Sequence, residues 1–136
     1  MAPQLDEKTS VSGQIRPEEV ARLKAEGVTM IINNRPDHED EGQPTSAEIE
    51  AAAKAAGIAY RHVPILRMGP ADVEAMHEAM DAAGDGKVHA FCRSGNRSAL
   101  CWAVARSEHG ASEEQLRHAV EGAGFNLGPV AHLLRS

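Results

Sequence analysis

The feature that most constrains this chain is a strand that runs straight into a cysteine. Residues 87–91 read as a strand, Cys92-Arg93-Ser94-Gly95-Asn96-Arg97-Ser98 follows without a break, and residues 97–109 read as a helix. Gly95 admits backbone conformations that other residues avoid, so the loop can turn tightly. In such a turn several backbone N–H groups face inward as an anion nest, and the helix start adds partial positive charge. Arg93 or Arg97 supplies a guanidinium suited to bidentate contact with an oxyanion. Together these groups favour a thiolate at Cys92 over a thiol. Ser98 is placed to donate a hydrogen bond to the sulfur or to a leaving group. A lone cysteine at a strand end is ordinarily a small buried hydrophobe; the order strand, Cys, Gly, Arg, helix is what argues for chemistry.

The rest of the chain supplies a frame for this loop. Strands are expected at 11–15, 28–33 and 58–65, and helices at 17–26, 46–56, 70–83, 112–122 and about 129–134. Pro17 with Glu18 and Glu19 marks a helix start. Thr45 with Glu48, and Ser112 with Gln115, fit capping boxes; Gly27 and Gly57 mark stops. Strands and helices alternate, which predicts an α/β fold with a mostly parallel central sheet flanked by helices. Ligands of such sheets sit at the carboxyl ends of the strands, where Cys92 falls. Residues 1–10 read as a flexible lead and 11–136 as a single domain, a length that buries enough surface to fold without disulfides or metals.

Composition removes several functional classes. The net charge of −6 disfavours a phosphate-backbone partner, so no nucleic acid is expected. No apolar run approaches the ~20 residues of a membrane span, and the polar start lacks a signal-peptide segment. Two cysteines nine apart make no disulfide framework, and a free reactive thiol suits the cytoplasm. The seven histidines form no metal-binding spacing, so neither a metal nor an organic cofactor is expected.

The loop resembles the active-site loops of rhodaneses and of cysteine-dependent phosphatases. A wider set of stretches resembles one family, the phosphatase-like domain of beta-lactamase hydrolase-like proteins: Val11-Ser12-Gly13-Gln14, Ile31-Ile32-Asn33-Asn34-Arg35-Pro36-Asp37, Ala47 to Ala53, His62-Val63-Pro64, and Cys92 to Ser98. The resemblance covers about 11–134. It implies a dual-specificity-phosphatase-like fold and a site in which Arg35 faces the loop. It also implies a link to sulfide and persulfide metabolism, with a persulfide-oxidising metalloenzyme as a partner.

Two chemistries fit such a loop. Dual-specificity and tyrosine phosphatases place five residues between Cys and Arg; here there are four, as in rhodaneses. Phosphatases typically carry His before the nucleophile, and here it is Phe91, with His89 read as a core or surface residue. Phosphoryl transfer expels an alkoxide that an acid should protonate, yet Leu66-Arg67-Met68-Gly69 occupies the place of the usual Asp. Asp37, or Glu39 or Asp40 beside it, is an alternative acid if its loop folds over the site; otherwise these charges form a solvated turn. Sulfur transfer asks less, because its leaving groups are sulfite or thiolates.

The expectation is therefore a rhodanese-type sulfurtransferase. Cys92, Arg97 and Ser98 are its catalytic residues, and Arg93, Ser94, Gly95, Asn96 and Arg35 bind the anion. A small-molecule sulfur donor and a thiol acceptor are its substrates. The alternatives are a cysteine-dependent phosphatase acting on a phosphate ester, and a non-catalytic anion-binding module. Arg35 either faces the site or pairs with Asp37 or Glu39. Arg67 can help bind an anionic donor. Cys101 reads as a packed side chain, with a resolving role for Cys92 as the alternative.

Overall fold

The run Val28-Thr29-Met30-Ile31-Ile32-Asn33 is apolar on both faces, and such a strand can only sit inside a covered sheet. In the computed structural model, which describes residues 3–134, it does. Strands β1 (Thr9–Ser12), β2 (Val28–Asn33), β3 (Ala59–His62) and β4 (Lys87–Phe91) lie parallel in the order β1-β4-β2-β3. Helices α1 (Val20–Ala25), α2 (Ser46–Ala56) and α3 (Pro70–Ala82) make the crossovers; α4 (Asn96–Glu108) and α5 (Glu113–Gly122) follow β4. Short 3-10 turns at Pro17–Glu19 and Gly128–Leu133 precede α1 and follow α5. The α/β architecture is the one expected.

Strand alternation, interrupted by an irregularity in β2 between Val28 and Met30, sorts the core into two layers. Val11, Met30, Ile32, Val88 and Ala90 pack with α3, α4 and α5 through Met76, Leu100, Val104 and Leu116. Val28, Ile31 and Phe91 pack on the other face with Val20, Leu23, Ile49 and Ala53 of α1 and α2. The continuous buried run Ser98 to Ala105 shows α4 to be enclosed, in contact with both α3 and α5. Local chemistry fixes the helix ends. The Thr45 hydroxyl accepts from the Glu48 N–H at 3.2 Å while the Glu48 carboxylate accepts from the Thr45 N–H at 3.0 Å. Gly57, at φ +76°, closes α2 in a conformation that costs a side-chain-bearing residue.

The edges differ from expectation. Of the lead expected over 1–10, residues 1 and 2 lie outside the described residues. Leu5 is buried in the core, and the Val11 N–H donates to the Pro3 carbonyl at 3.0 Å. The first strand accordingly starts at Thr9 instead of 11, because β4 offers a pairing partner from Val88 onward.

The sheet order positions the site. β4 lies between β1 and β2, with Ser12 and Asn33 both level with Phe91. The three chains leave the sheet side by side. Gly13 flanks Cys92 on one side, and Asn34 and Arg35 flank it on the other.

Candidate active site

Cys92 stands where β4 ends and α4 has not begun. Its own N–H donates to the Ser12 carbonyl at 3.3 Å, and its sulfur accepts the Gly95 N–H at 3.1 Å. Gly95 makes that bond possible, since its φ of +93° turns the chain back toward the sulfur. A Cβ at Gly95 would lie 3.0 Å from the Phe125 ring and 3.3 Å from the Ser12 carbonyl carbon. The α4 N-terminus begins at the next residue, so the sulfur sits at the positive end of a thirteen-residue helix.

Arg97 lies in the first turn of that helix. Its Nη1 donates to Glu39 Oε2 at 2.9 Å and to the Ile65 carbonyl at 2.7 Å, and its Nη2 donates to Glu39 Oε1 at 2.8 Å. These three bonds use three of the five N–H groups of a guanidinium. Interaction with the Cys92 sulfur and with Glu39 both hold the guanidinium in its charged form, Glu39 foremost. Arg97 thus pairs with the Glu39 carboxylate through both Nη atoms, and Cys92 adds to what keeps it charged.

The acidic loop after β2 is no solvated turn. Glu39 also accepts from Arg35 Nε at 3.0 Å, and Asp40 accepts from Arg35 Nη2 at 2.5 Å and pairs with Arg93 Nε at 3.2 Å. The hydrogen bonds from Arg97, opposed by burial and helped by Arg35, hold the Glu39 carboxyl below the usual carboxylate range. Arg35 itself is buried; its remaining Nη1 donates to Gln14 Oε1 at 3.0 Å, and its carbonyl accepts from His62 Nε2 at 2.9 Å. The two readings of Arg35 are therefore one arrangement, paired with Glu39 and joined through it to Arg97.

Other site residues land differently. The Ser98 hydroxyl, wholly buried, donates to Asn34 Oδ1 at 2.8 Å; this bond, and not one to sulfur or leaving group, takes its proton. Asn34 in turn donates to the Val63 carbonyl at 3.0 Å, so the pair ties α4 to the β2 and β3 exits. Asp37 does not serve as an acid at the loop: its Oδ1 accepts the Ser46 N–H at 2.8 Å at the start of α2, where helix N–H groups lack partners. Asp72 likewise accepts the Gly69 N–H at 2.9 Å at the start of α3. Ser94 and Asn96 are turn residues, the Ser94 hydroxyl accepting the Asn96 N–H at 3.3 Å. Arg93 and Arg67 reach outward, and Arg67 lines an open cleft of about 510 Å³ with Pro36, His62 and Leu66. Cys101 is buried in α4, as the packed reading has it; burial pushes its thiol up to about 12, and its sulfur lies 3.8 Å from the Asp72 carbonyl. Asn34, Gln14 and the Ile65 carbonyl were not identifiable as partners from the sequence, since nothing local marks them. Among the described residues no group of three or more His, Cys, Asp or Glu is arranged to hold a metal ion.

A parallel sheet with a cysteine loop between a central strand and an enclosed helix, facing an arginine, defines a domain of the cysteine-phosphatase fold. The comparisons agree. The sequence profile of the phosphatase-like domain of beta-lactamase hydrolase-like proteins matches residues 3–109, and the chain belongs to that family. A beta-lactamase hydrolase-like protein of Xylella fastidiosa is 34% identical over 96% of this chain. The chain spans only 31% of that relative's length. A crystal structure described as a candidate phosphatase of Neisseria meningitidis superposes with a TM-score of 0.80 at 29% identity, covering 96% of this chain and 94% of that one. A kinase associated phosphatase, solved with its catalytic-site cysteine replaced by serine, shares the fold at a TM-score of 0.72 and 14% identity, covering 91% of this chain and 83% of that one.

These findings overturn the sulfurtransferase expectation, together with its sulfur donor, thiol acceptor and persulfide chemistry; family and structural neighbours point to a phosphatase. The arguments for sulfur transfer were local. The loop has four residues between Cys92 and Arg97, and it still turns back at Gly95 so that the Gly95 N–H meets the Cys92 sulfur at 3.1 Å. Leu66-Arg67-Met68-Gly69 stands where the usual Asp would follow β3, while the loop after β2 brings Glu39 to Arg97.

Proposed function

We propose that this domain is a cysteine-dependent phosphatase acting on phosphate monoesters through a phosphocysteine at Cys92. The observation that carries the reading is the Cys92 sulfur bonded by the Gly95 N–H at a helix start, with Arg97 beside it. The thiolate attacks phosphorus, an S–P bond forms, and the ester P–O bond breaks. Water then hydrolyses the phosphocysteine, releasing inorganic phosphate and returning the thiolate. The loop N–H groups, the α4 N-terminus and Arg97 stabilise charge on the equatorial oxygens.

Glu39 is a positioning residue in this reading. It takes both Nη atoms of Arg97 from one edge and leaves the Nε–H and one Nη2–H for a phosphoryl group. Being held ionised, it is no proton donor near neutral pH. Asp40, Asp37 and Asp72 are engaged by Arg35 and Arg93, Ser46 and Gly69. Esters with acidic leaving groups, such as aryl phosphates, are therefore the favoured class. Cys92 has no exposed surface, so the loop must open for a substrate to reach the sulfur. A free thiolate of this kind suits a reducing compartment such as the cytoplasm; both cysteines are free, and among the described residues no helix is long and apolar enough to cross a membrane.

The test is steady-state hydrolysis of a series of aryl phosphates by wild type and Cys92→Ser. The expected result is Cys92-dependent turnover that falls steeply as the leaving group becomes more basic. Equal phosphate release by the two proteins would overturn the reading.

A further inference from the structure

On the β1 side of the Cys92 loop lies a buried polar group with no part in the chemistry above. His89, 1% exposed, is held at both ring nitrogens: Nδ1 is 2.8 Å from Ser10 Oγ and Nε2 is 2.8 Å from Ser12 Oγ. The Ser12 hydroxyl also donates to the Gly13 carbonyl at 2.8 Å. A hydroxyl has one proton to give. With that proton on the Gly13 carbonyl, His89 Nε2–H donates to Ser12, and Nδ1 accepts from Ser10. The network closes with a single neutral tautomer and leaves no donor spare.

What this network holds is the segment against which the Cys92 loop is set. The Ser12 carbonyl accepts the Cys92 N–H. A Cβ at Gly13 would lie 2.9 Å from the Arg93 carbonyl oxygen, closer than any real side chain approaches. A Cβ at Gly95 would lie 3.3 Å from the Ser12 carbonyl carbon. Three residues of the loop thus rest on Ser12 and Gly13; one histidine on the neighbouring strand holds the Ser12 hydroxyl, which in turn bonds the Gly13 carbonyl. Ser10 and His89, and Ser12 and Phe91, are level in the β1–β4 pairing, which puts the ring between the two serines.

We propose that His89 and Ser12 are positioning residues for the phosphatase reaction, a buried uncharged brace that sets the Cys92 loop from the β1 side. The proposal rests on the phosphatase reading for its kinetic consequence and on geometry for its structural one. A backbone cradle must present its N–H groups to within a fraction of an ångström to favour the transition state, and a small misplacement costs rate while leaving the fold intact.

The experiment uses the full chain with His89→Leu, His89→Gln, Ser12→Ala and Cys92→Ser. It reads kcat and KM for p-nitrophenyl phosphate, competitive inhibition by inorganic vanadate, alkylation of Cys92 by iodoacetate, and the thermal midpoint. His89→Leu and Ser12→Ala are expected to lower kcat by about tenfold or more and to raise the vanadate inhibition constant in parallel. Cys92 alkylation should slow, and the midpoint should move little. His89→Gln, which keeps a donor and an acceptor, is expected to recover most of the lost kcat. Wild-type kcat and vanadate affinity in folded His89→Leu would overturn the proposal, as would a His89→Gln no better than His89→Leu. Should His89→Leu fail to fold, Ser12→Ala decides alone. Should wild type and Cys92→Ser release phosphate equally, the phosphatase reading fails, and the alkylation rate still decides whether this brace sets the loop.

Discussion

On the β2 side of the Cys92 loop five charged side chains interlock: Arg35, Glu39, Asp40, Arg93 and Arg97. On the β1 side one neutral histidine is held between two serines. Both brace the same seven residues, yet they differ in what they can supply. The charged side supplies a guanidinium beside the nucleophile and is the more exposed of the two, with Arg93 and Asp40 reaching solvent. The neutral side bears no charge that could compete with the thiolate, and burial costs it little because every polar atom has a partner. The loop therefore takes its electrostatics from one neighbour and its geometry from the other.

That contrast can be broken from either side. Arg97→Lys keeps the charge and loses the planar fork, so it cannot satisfy Glu39, Ile65 and a phosphoryl group together. We expect kcat/KM for an aryl phosphate to fall by about a thousandfold, measured against wild type at saturating and limiting substrate.

The next effect belongs to the neutral side and appears in stability. Burial, with Arg22 adding, lowers the His89 pKa from 6.5 to about 4. Its folded value lies below its unfolded one, so the unfolded chain binds the proton more readily. Stability is full above about pH 7 and is lost as pH falls from 6.5 toward 4, by up to roughly 3 kcal/mol. Glu39 is lowered from 4.5, so its contribution is present above that value and lost only at more acid pH. Urea midpoints from about pH 2 to pH 8 in wild type and His89→Gln would separate the two: the variant should lose the slope between 6.5 and 4 and keep the fall below it.

Glu39→Gln sharpens the charged side. As a positioning residue Glu39 should cost kcat/KM about thirtyfold when neutralised, by the same factor for acidic and basic leaving groups. A loss that grows with leaving-group basicity would make it a proton donor instead. Smallest is Asp40→Asn, which removes an exposed partner of Arg93 and one of three partners of Arg35. Such pairs are worth up to about 1 kcal/mol, so KM should change less than about fivefold, and added salt should erase the difference.

Much of this arrangement is written locally. The apolar run at Val28–Asn33, the strand Lys87–Phe91 and the capped helix Ser46–Ala56 formed with the bounds expected, because alternation, capping boxes and glycine stops act within a few residues. The cysteine loop was legible for the same reason. What the loop faces was not. Glu39 meets Arg97 across 58 residues of sequence, and Ser98 meets Asn34 across 64. Asp37, one of the alternative acids in its loop, instead accepts from the Ser46 N–H, because unpaired N–H groups at a helix start compete for any nearby carboxylate. His89 looked idle because its two serines lie on a different strand. The sulfurtransferase expectation rested on the loop length, on Phe91 before the cysteine and on the missing Asp after β3, all read along the sequence, whereas residues distant in sequence fold onto the loop.

The most direct measurement is rapid acid quench of wild type turning over p-nitrophenyl phosphate, followed by peptide mass analysis. The predicted result is one phosphoryl group on the Cys92 peptide, absent from Cys92→Ser and strongly diminished in Arg97→Lys. Steady phosphate release with Cys92 unmodified throughout, or a phosphoryl group carried elsewhere on the chain, would contradict the account.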